Sequence, residues 1–234
     1  MGRVSAIPDI LTWPGEEMTR KRVAVLISGR GSNMASLIEA ARDPDYPAEI
    51  ALVVSNRPDA AGLAGARAEN IETAVVDHTA FAKDREGFEQ AVQAVLEQHR
   101  IGIVCLAGFM RLLTPWFVRQ WEGRMINIHP ALLPDFKGLN THERALAAGV
   151  KEHGATVHFV VPEMDAGPMI AQAKVKMHED DTAETLASRV LALEHRIYPL
   201  ALGLLADARV RLVDGHCRVE GALPDDNALL VLRG

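Results

Sequence analysis

Several things are scarce in this chain. Only two of its 234 residues are cysteine, Cys105 and Cys217, which argues against a disulfide framework and for a reducing, cytoplasmic setting. Cys105 stands in an apolar run and is expected to be a buried thiol. No apolar run reaches the roughly 18 residues that a membrane span needs, so no membrane association is expected. Blocks of basic residues are missing, the net charge is -6 and the pI is about 5.8, which disfavours a nucleic-acid partner. The nine histidines are scattered, without a His-Glu-x-x-His or paired-cysteine motif, so no metal is expected. A Gly-x-Ser-x-Gly elbow is also missing, which leaves a serine nucleophile without support.

What remains is 48% hydrophobic, enough for one sizeable core. Residues 1–20 read as a loosely ordered extension. Pro8 and Asp9 break the apolar part that a secretory signal needs, Ala6 fails the myristoylation pattern, and Glu16 and Glu17 are foreign to a transit peptide. Residues 21–213 are expected to form the main domain, the catalytic one on the resemblance given below, and 214–234 a hairpin and tail.

Residues 22–28 form a near-continuous apolar run, as in a strand buried on both faces of a parallel sheet. A turn follows, Gly29-Arg30-Gly31-Ser32-Asn33, and then a helical pattern over 34–41. Free backbone N–H groups and a helix dipole make such a turn an anion site. Met34 stands where a dinucleotide fingerprint has its third glycine, and no Gly-Lys-Ser/Thr follows, so a small phosphate monoester is the better guess; a plain tight turn is the alternative. Strands at 49–55, 72–76 and 101–107 alternate with helices at 60–70 and 85–99, which implies βαβ units. The fold class is therefore α/β: a Rossmann-like, mostly parallel sheet with helices on both faces. Thr114-Pro115 reads as a helix cap and first position. Apolar residues around Arg111 suit a pocket for a flat heteroaromatic, although Leu112 and Leu113 taken by themselves read better as core.

Residues 125–138, Met-Ile-Asn-Ile-His-Pro-Ala-Leu-Leu-Pro-Asp-Phe-Lys-Gly, hold the main chemistry. A strand begins there and must stop at Pro130, because proline cannot donate to the ladder. Asn127 and His129 are two apart and share a strand face, at the end where open α/β sheets bind ligands. Two satisfied polar residues at a strand end are the bland alternative. Residues 130–140 show no clear period and are a candidate lid. Further on come a helix at 141–148, a strand at 156–161 containing His158, a turn at 162–168 carrying Asp165, and a strand at 169–176. The longest helix opens with a capping-box-like Asp181-Thr182-Ala183-Glu184, and Pro199 is expected to kink or break it. Asp214-Gly215 between two short strands signals a hairpin.

Asn127, His129 and Asp165 make the best constellation. An amide and an imidazolium both donate to an oxyanion, and a nearby carboxylate favours the charged imidazole and fixes its tautomer. Such a set suits acyl transfer to a substrate amine without a covalent intermediate.

Residues 126–134, Ile-Asn-Ile-His-Pro-Ala-Leu-Leu-Pro, resemble the signature of the folate-dependent formyltransferases. Supporting segments follow in order at family-like spacing: Ile-Ser-Gly-Arg-Gly-Ser-Asn at 27–33, Leu-Ala-Gly-Phe-Met-Arg at 106–111, Val-His-Phe-Val at 157–160, Met-Asp-Ala-Gly-Pro at 164–168 and Glu-His-Arg-Ile-Tyr-Pro at 194–199. The set is most similar to the branch that acts on 5'-phosphoribosylglycinamide (GAR). The resemblance implies transfer of the formyl group of the co-substrate 10-formyltetrahydrofolate to the amine of GAR, in purine biosynthesis, without a metal, by a monomer or homodimer. It implies that Asn127 and protonated His129 hold the oxyanion and that Asp165 keeps His129 charged and assists proton transfer. It places the GAR phosphate on Gly31, Ser32 and Asn33, the ribose on Glu194, and Gly108 and Pro130 beside that substrate. On the folate side it implies Arg85, Met110, Arg111, Leu112 and Leu113, together with Val161, Pro162, Glu163, Met164, Asp165 and Asn127. Ala131 departs from the usual serine after His-Pro, and Met34 from a common leucine. The alternatives within the resemblance are a formyltetrahydrofolate deformylase, in which water replaces the amine, and a non-catalytic binding protein. A methionyl-tRNA formyltransferase is expected to carry a further, basic C-terminal domain, which this acidic chain does not suggest.

Overall fold

The computed structural model describes residues 20–221 and 229–231. The expected extension at 1–20 falls, but for Arg20, outside the described residues, as does most of the tail beyond 221.

An eight-stranded sheet runs through the molecule. Its parallel half comprises β1 (Lys21–Ile27), β2 (Ala48–Ser55), β3 (Glu72–Val75), β4 (Ile103–Leu106) and β5 (Met125–His129), in the order β3-β2-β1-β4-β5. Three antiparallel strands extend it beyond β5: β6 (Glu152–Phe159), β7 (Met169–Lys176) and β10 (Leu229–Val231). The hairpin strands β8 (Val210–Val213) and β9 (His216–Val219) form a separate ribbon. Asp214 and Gly215 at its tip have φ of 51° and 75°, the positive values that a two-residue type I′ turn requires.

Alternation along β1 feeds two cores. Val23, Val25 and Ile27 face α1 (Ser32–Ala40), α2 (Gly62–Ala68) and the long α6 (Ala183–Ala206). Ala24 and Leu26 face α3 (Arg85–Gln98) and α4 (Pro115–Gln120). All five are fully buried, which is why this strand reads as an unbroken apolar run. Helices therefore cover both faces. α5 (Thr141–Ala148) packs near α6, and a single 3₁₀ turn, His78–Phe81, follows β3. Among the described residues no helix is long and apolar enough to cross a membrane.

β1 has β2 on one side and β4 on the other, so strand order reverses between β1 and β4. A doubly wound sheet opens a crevice at the carboxyl ends of such a pair. Here those ends are Ile27 and Leu106, and the segments that follow them build the site. The Tyr198 hydroxyl, buried on α6, lies 2.9 Å from the Leu106 carbonyl oxygen and 3.2 Å from that of Ile126, and so ties the ends of β4 and β5 to the helix.

Three local expectations need correction. Pro199 does not break α6, which is continuous from Ala183 to Ala206. An interior proline costs a helix about 3 kcal/mol, but residues 197–204 are buried throughout, and the Pro199 carbonyl accepts the Tyr46 hydroxyl at 2.5 Å. The strand expected at 156–161 runs Glu152–Phe159 instead. Gly154 hid its start: a Cβ there would lie 2.0 Å from the Ala173 carbonyl oxygen, so glycine is what lets β6 and β7 close up. The capping box is shifted by one residue. Thr182 is the N-cap and exchanges hydrogen bonds with Thr185, while Asp181 pairs with Arg189 and accepts the His178 N–H.

Candidate active site

The Gly-rich turn leaves β1 and enters α1 with Gly31 as N-cap at φ 77°, a value that a side chain resists. α2 starts hard against it. Gly62 donates to the Gly29 carbonyl at 3.0 Å, and a Cβ on Gly62 would meet Ile27 Cδ1 at 2.6 Å. The turn lines a cleft of about 390 Å³ whose other wall includes Ala107, Gly108, Met110 and Arg111. Asn56, Arg57 and His78, from the ends of β2 and β3, close its far side. A hydrogen-bond chain stitches these strand ends together: the Met110 N–H donates to Ser28 Oγ at 2.8 Å, Ser28 donates to Asn56 Oδ1 at 2.6 Å, and Asn56 Nδ2 lies 3.2 Å from His78 Nδ1. Nothing local in the sequence connects Asn56 and His78 to the turn; strand order alone brings them there.

Glu194 reaches the same place from α6. Asn33 Nδ2 donates to its Oε2 at 2.5 Å. Burial raises the Glu194 pKa, and the Asn33 hydrogen bond opposes that rise. The turn expected to hold phosphate and the glutamate expected to hold ribose are thus neighbours.

Asn127, His129 and Asp165 lie one strand further along, with Asn127 paired beside Leu106 of β4. They do not line the first cleft but form their own cluster beside it. His129 is 4% exposed. Its Nε2 lies 3.0 Å from the Phe136 carbonyl oxygen, and its Nδ1 3.4 Å from Asp165 Oδ2. Both ring nitrogens thus face oxygen atoms. Asp165 sits at φ 49° in its turn, and its Oδ2 accepts the Gly138 N–H at 2.8 Å. Residues 136 and 138 of the aperiodic segment therefore dock on His129 and Asp165. Arg144 of α5 braces that segment, donating to the Lys137 carbonyl at 2.6 Å with its guanidinium 5.6 Å from the Phe136 ring.

His158 completes the cluster. It stands opposite Asn127 in the β5–β6 pairing, with its Nε2 3.2 Å from Asn127 Nδ2 and 3.8 Å from Asp165 Oδ1. Its Nδ1 lies 2.8 Å from the Phe159 carbonyl and must donate to it. That leaves Nε2 bare to accept from Asn127. Burial lowers the His158 pKa, which favours this neutral form. Only a long-range strand register, invisible in sequence, reveals the partnership.

The expected folate-side residues are unevenly exposed, and two of them, Met110 and Arg111, line the Gly-rich cleft. Met110 and Leu112 are 68% and 62% exposed, so Leu112 is not core, whereas Leu113 is half-buried and packs on the α3–α4 core. The Arg111 guanidinium lies 4.9 Å over the Phe88 ring, and Arg85 donates to the Leu112 carbonyl. Val161 is half-buried, and Pro162, Glu163 and Met164 are exposed around the Asp165 turn. Pro130 is half-buried just beyond His129. Ala131 is fully buried, and Thr156 Oγ fixes this stretch by donating to the Ala131 carbonyl at 2.6 Å and accepting the Leu133 N–H at 3.1 Å.

A Gly-rich turn at the topological switch, beside an amide, two imidazoles and a carboxylate, makes a candidate group-transfer site on an α/β sheet. The family model described as Formyl transferase matches residues 21–202, and the chain belongs to that family. The phosphoribosylglycinamide formyltransferase of Haemophilus influenzae is 42% identical over 205 residues, which are 87% of this chain and 96% of that protein. The trifunctional purine biosynthetic protein adenosine-3 of Bos taurus is 51% identical over 193 residues, 82% of this chain but only 19% of that longer protein. The solved structure of phosphoribosylglycinamide formyltransferase from Coxiella burnetii matches with a TM-score of 0.82 at 45% identity, covering 86% of this chain and 93% of the other.

Proposed function

We propose that the chain transfers the formyl group of 10-formyltetrahydrofolate to the amine of GAR, giving formyl-GAR and tetrahydrofolate, as a step of purine biosynthesis. The observation that carries this reading is the convergence of Asn127, His129, His158 and Asp165 beside the Gly31–Asn33 turn, in a chain of this family.

The geometry supports the following chemistry. The GAR phosphate takes the backbone N–H groups of Gly31, Ser32 and Asn33 at the start of α1. Glu194 accepts the ribose hydroxyls. Met110 and Leu112 offer apolar surface to the pterin, with Arg85 and Arg111 near the acidic end of the folate. The GAR nitrogen attacks the formyl carbon, and the carbonyl pair moves onto oxygen. Asn127 retains one amide hydrogen after serving His158, and that hydrogen donates to the oxyanion. His129 Nδ1 stands 3.4 Å from Asp165 Oδ2, longer than an ordinary N–H···O bond, so an N–H there is only loosely held by the carboxylate and is available to share with the oxyanion. One such donor is worth about 3 kcal/mol of barrier. Collapse expels the folate N10. The proton lost by the attacking nitrogen is the proton N10 needs, and Asp165 with His129 carries it across.

The test mixes protein, GAR and 10-formyltetrahydrofolate and follows tetrahydrofolate release by absorbance. Release that requires GAR is expected. Release without GAR marks a hydrolase, and no release marks a binding protein; either overturns the reading.

A further inference from the structure

Helix α3 grips one loop at three points. Arg85 donates to the Leu112 carbonyl, Phe88 stacks under Arg111, and the Glu89 carboxylate accepts the Thr114 N–H at 2.7 Å and the Thr114 hydroxyl as well. Positions 85, 88 and 89 stand at i, i+3 and i+4, on one helix face. Glu89 is 1% exposed, and among the described residues no cation pairs with it. A carboxylate that deep is tolerated only when hydrogen bonds satisfy it, and both of its hydrogen bonds go to Thr114.

The loop so held is the one that presents Met110 and Leu112 largely exposed at the carboxyl end of β4. Apolar surface gains by leaving water, so a loop that presents two apolar side chains is helped to keep its shape by a backbone tied at several points. The Met110 end is tied to Ser28, the Leu112 carbonyl to Arg85, and the Thr114 end to Glu89. We propose that Glu89 is a positioning residue for the folate co-substrate, which holds residues 112–114 so that Met110 and Leu112 stand open as a wall for a flat heteroaromatic ring. This rests on the formyl-transfer reading. The competing role is purely structural, because Thr114 also caps α4. A structural role lowers the melting temperature without a selective effect on one substrate.

The experiment measures steady-state kinetics for both substrates, and thermal unfolding, in the wild type, Glu89→Ala and Glu89→Gln. Glu89→Ala is expected to raise the KM for 10-formyltetrahydrofolate about tenfold, with kcat and the KM for GAR moving less than about twofold. Glu89→Gln is expected to restore most of the wild-type value, since its amide oxygen still accepts the Thr114 N–H and the hydroxyl turns to accept from its nitrogen. An unchanged folate KM in Glu89→Ala, equal rises in both KM values, or no rescue by glutamine overturns the proposal. Should Glu89→Ala not fold, Thr114→Val keeps the backbone bond and loses the hydroxyl; its folate KM is expected to rise about threefold, and no rise overturns the proposal. If wild-type protein shows no GAR-dependent turnover, the formyl-transfer reading fails on its own. Calorimetric titration with tetrahydrofolate then decides for Glu89: weaker binding by Glu89→Ala supports the positioning role, and equal binding overturns it.

Discussion

Asn127 and His158 stand opposite each other across the β5–β6 pair, amide nitrogen 3.2 Å from imidazole nitrogen, and each settles the other's orientation. The Phe159 carbonyl claims the His158 Nδ1 proton, so Nε2 can only accept. Asn127 is thereby fixed with one hydrogen spent and one aimed outward. Replacing His158 by phenylalanine frees the amide to rotate. The expected result is a kcat lower by about tenfold with an unchanged KM for GAR, partly restored by glutamine, as read from steady-state rates. A phenylalanine variant at the wild-type rate contradicts this.

Removing the second donor costs more. His129→Ala is expected to lose roughly 10²–10⁴-fold in turnover, the usual worth of a positioned acid or base. GAR binding, measured by calorimetry, should persist, because the phosphate turn and Glu194 belong to other elements. Turnover near the wild-type rate would remove His129 from the chemistry.

Acid should destabilise the fold through buried histidines, and His195, whose pKa burial lowers, is one of them. Burial lowers the pKa of His142 and His158, and pushes His153 from 6.5 down to about 4. The folded state therefore resists protons that the unfolded chain accepts below 6.5. Stability falls as pH drops from 6.5 towards about 4. Urea midpoints across that window should fall more gently for His153→Phe than for the wild type; identical slopes would show that His153 does not contribute.

Glu194 has the opposite sign. Its folded pKa is raised by burial, so its contribution is favourable below the unfolded value of 4.5 and is lost as pH rises through the folded one. Glu194→Gln removes that loss. The variant should unfold at higher urea than the wild type at pH 7, with the gap closing in acid, while its KM for GAR rises about tenfold. A less stable variant at pH 7 would show that the carboxylate is compensated in the folded state.

Much of this was legible because the governing chemistry is local. Thr114-Pro115 caps α4 as read, Asp214-Gly215 turns the β8–β9 hairpin, and Pro130 ends β5 at His129. The Asn127–His129–Asp165 set could be proposed from a shared strand face and one turn, and the structure brings its members together. What escaped reading depends on distant partners. His158 meets Asn127 only through antiparallel register, Asn56 joins the cleft only because β2 lies beside β1, and Pro199 survives inside α6 because the surrounding core outweighs its helix penalty. Gly154 looks like a breaker until the Ala173 carbonyl is seen against it.

The most direct measurement is a double-mutant cycle on GAR-dependent formyl transfer, with His129→Ala, Asp165→Asn and the pair combined. If imidazole and carboxylate act as one unit at the formyl carbon, each single change lowers kcat by about 10²-fold or more, and the double variant lies within about tenfold of the worse single. Losses that multiply, or an Asp165→Asn enzyme at the wild-type rate, would mean that the two groups do not share the reaction.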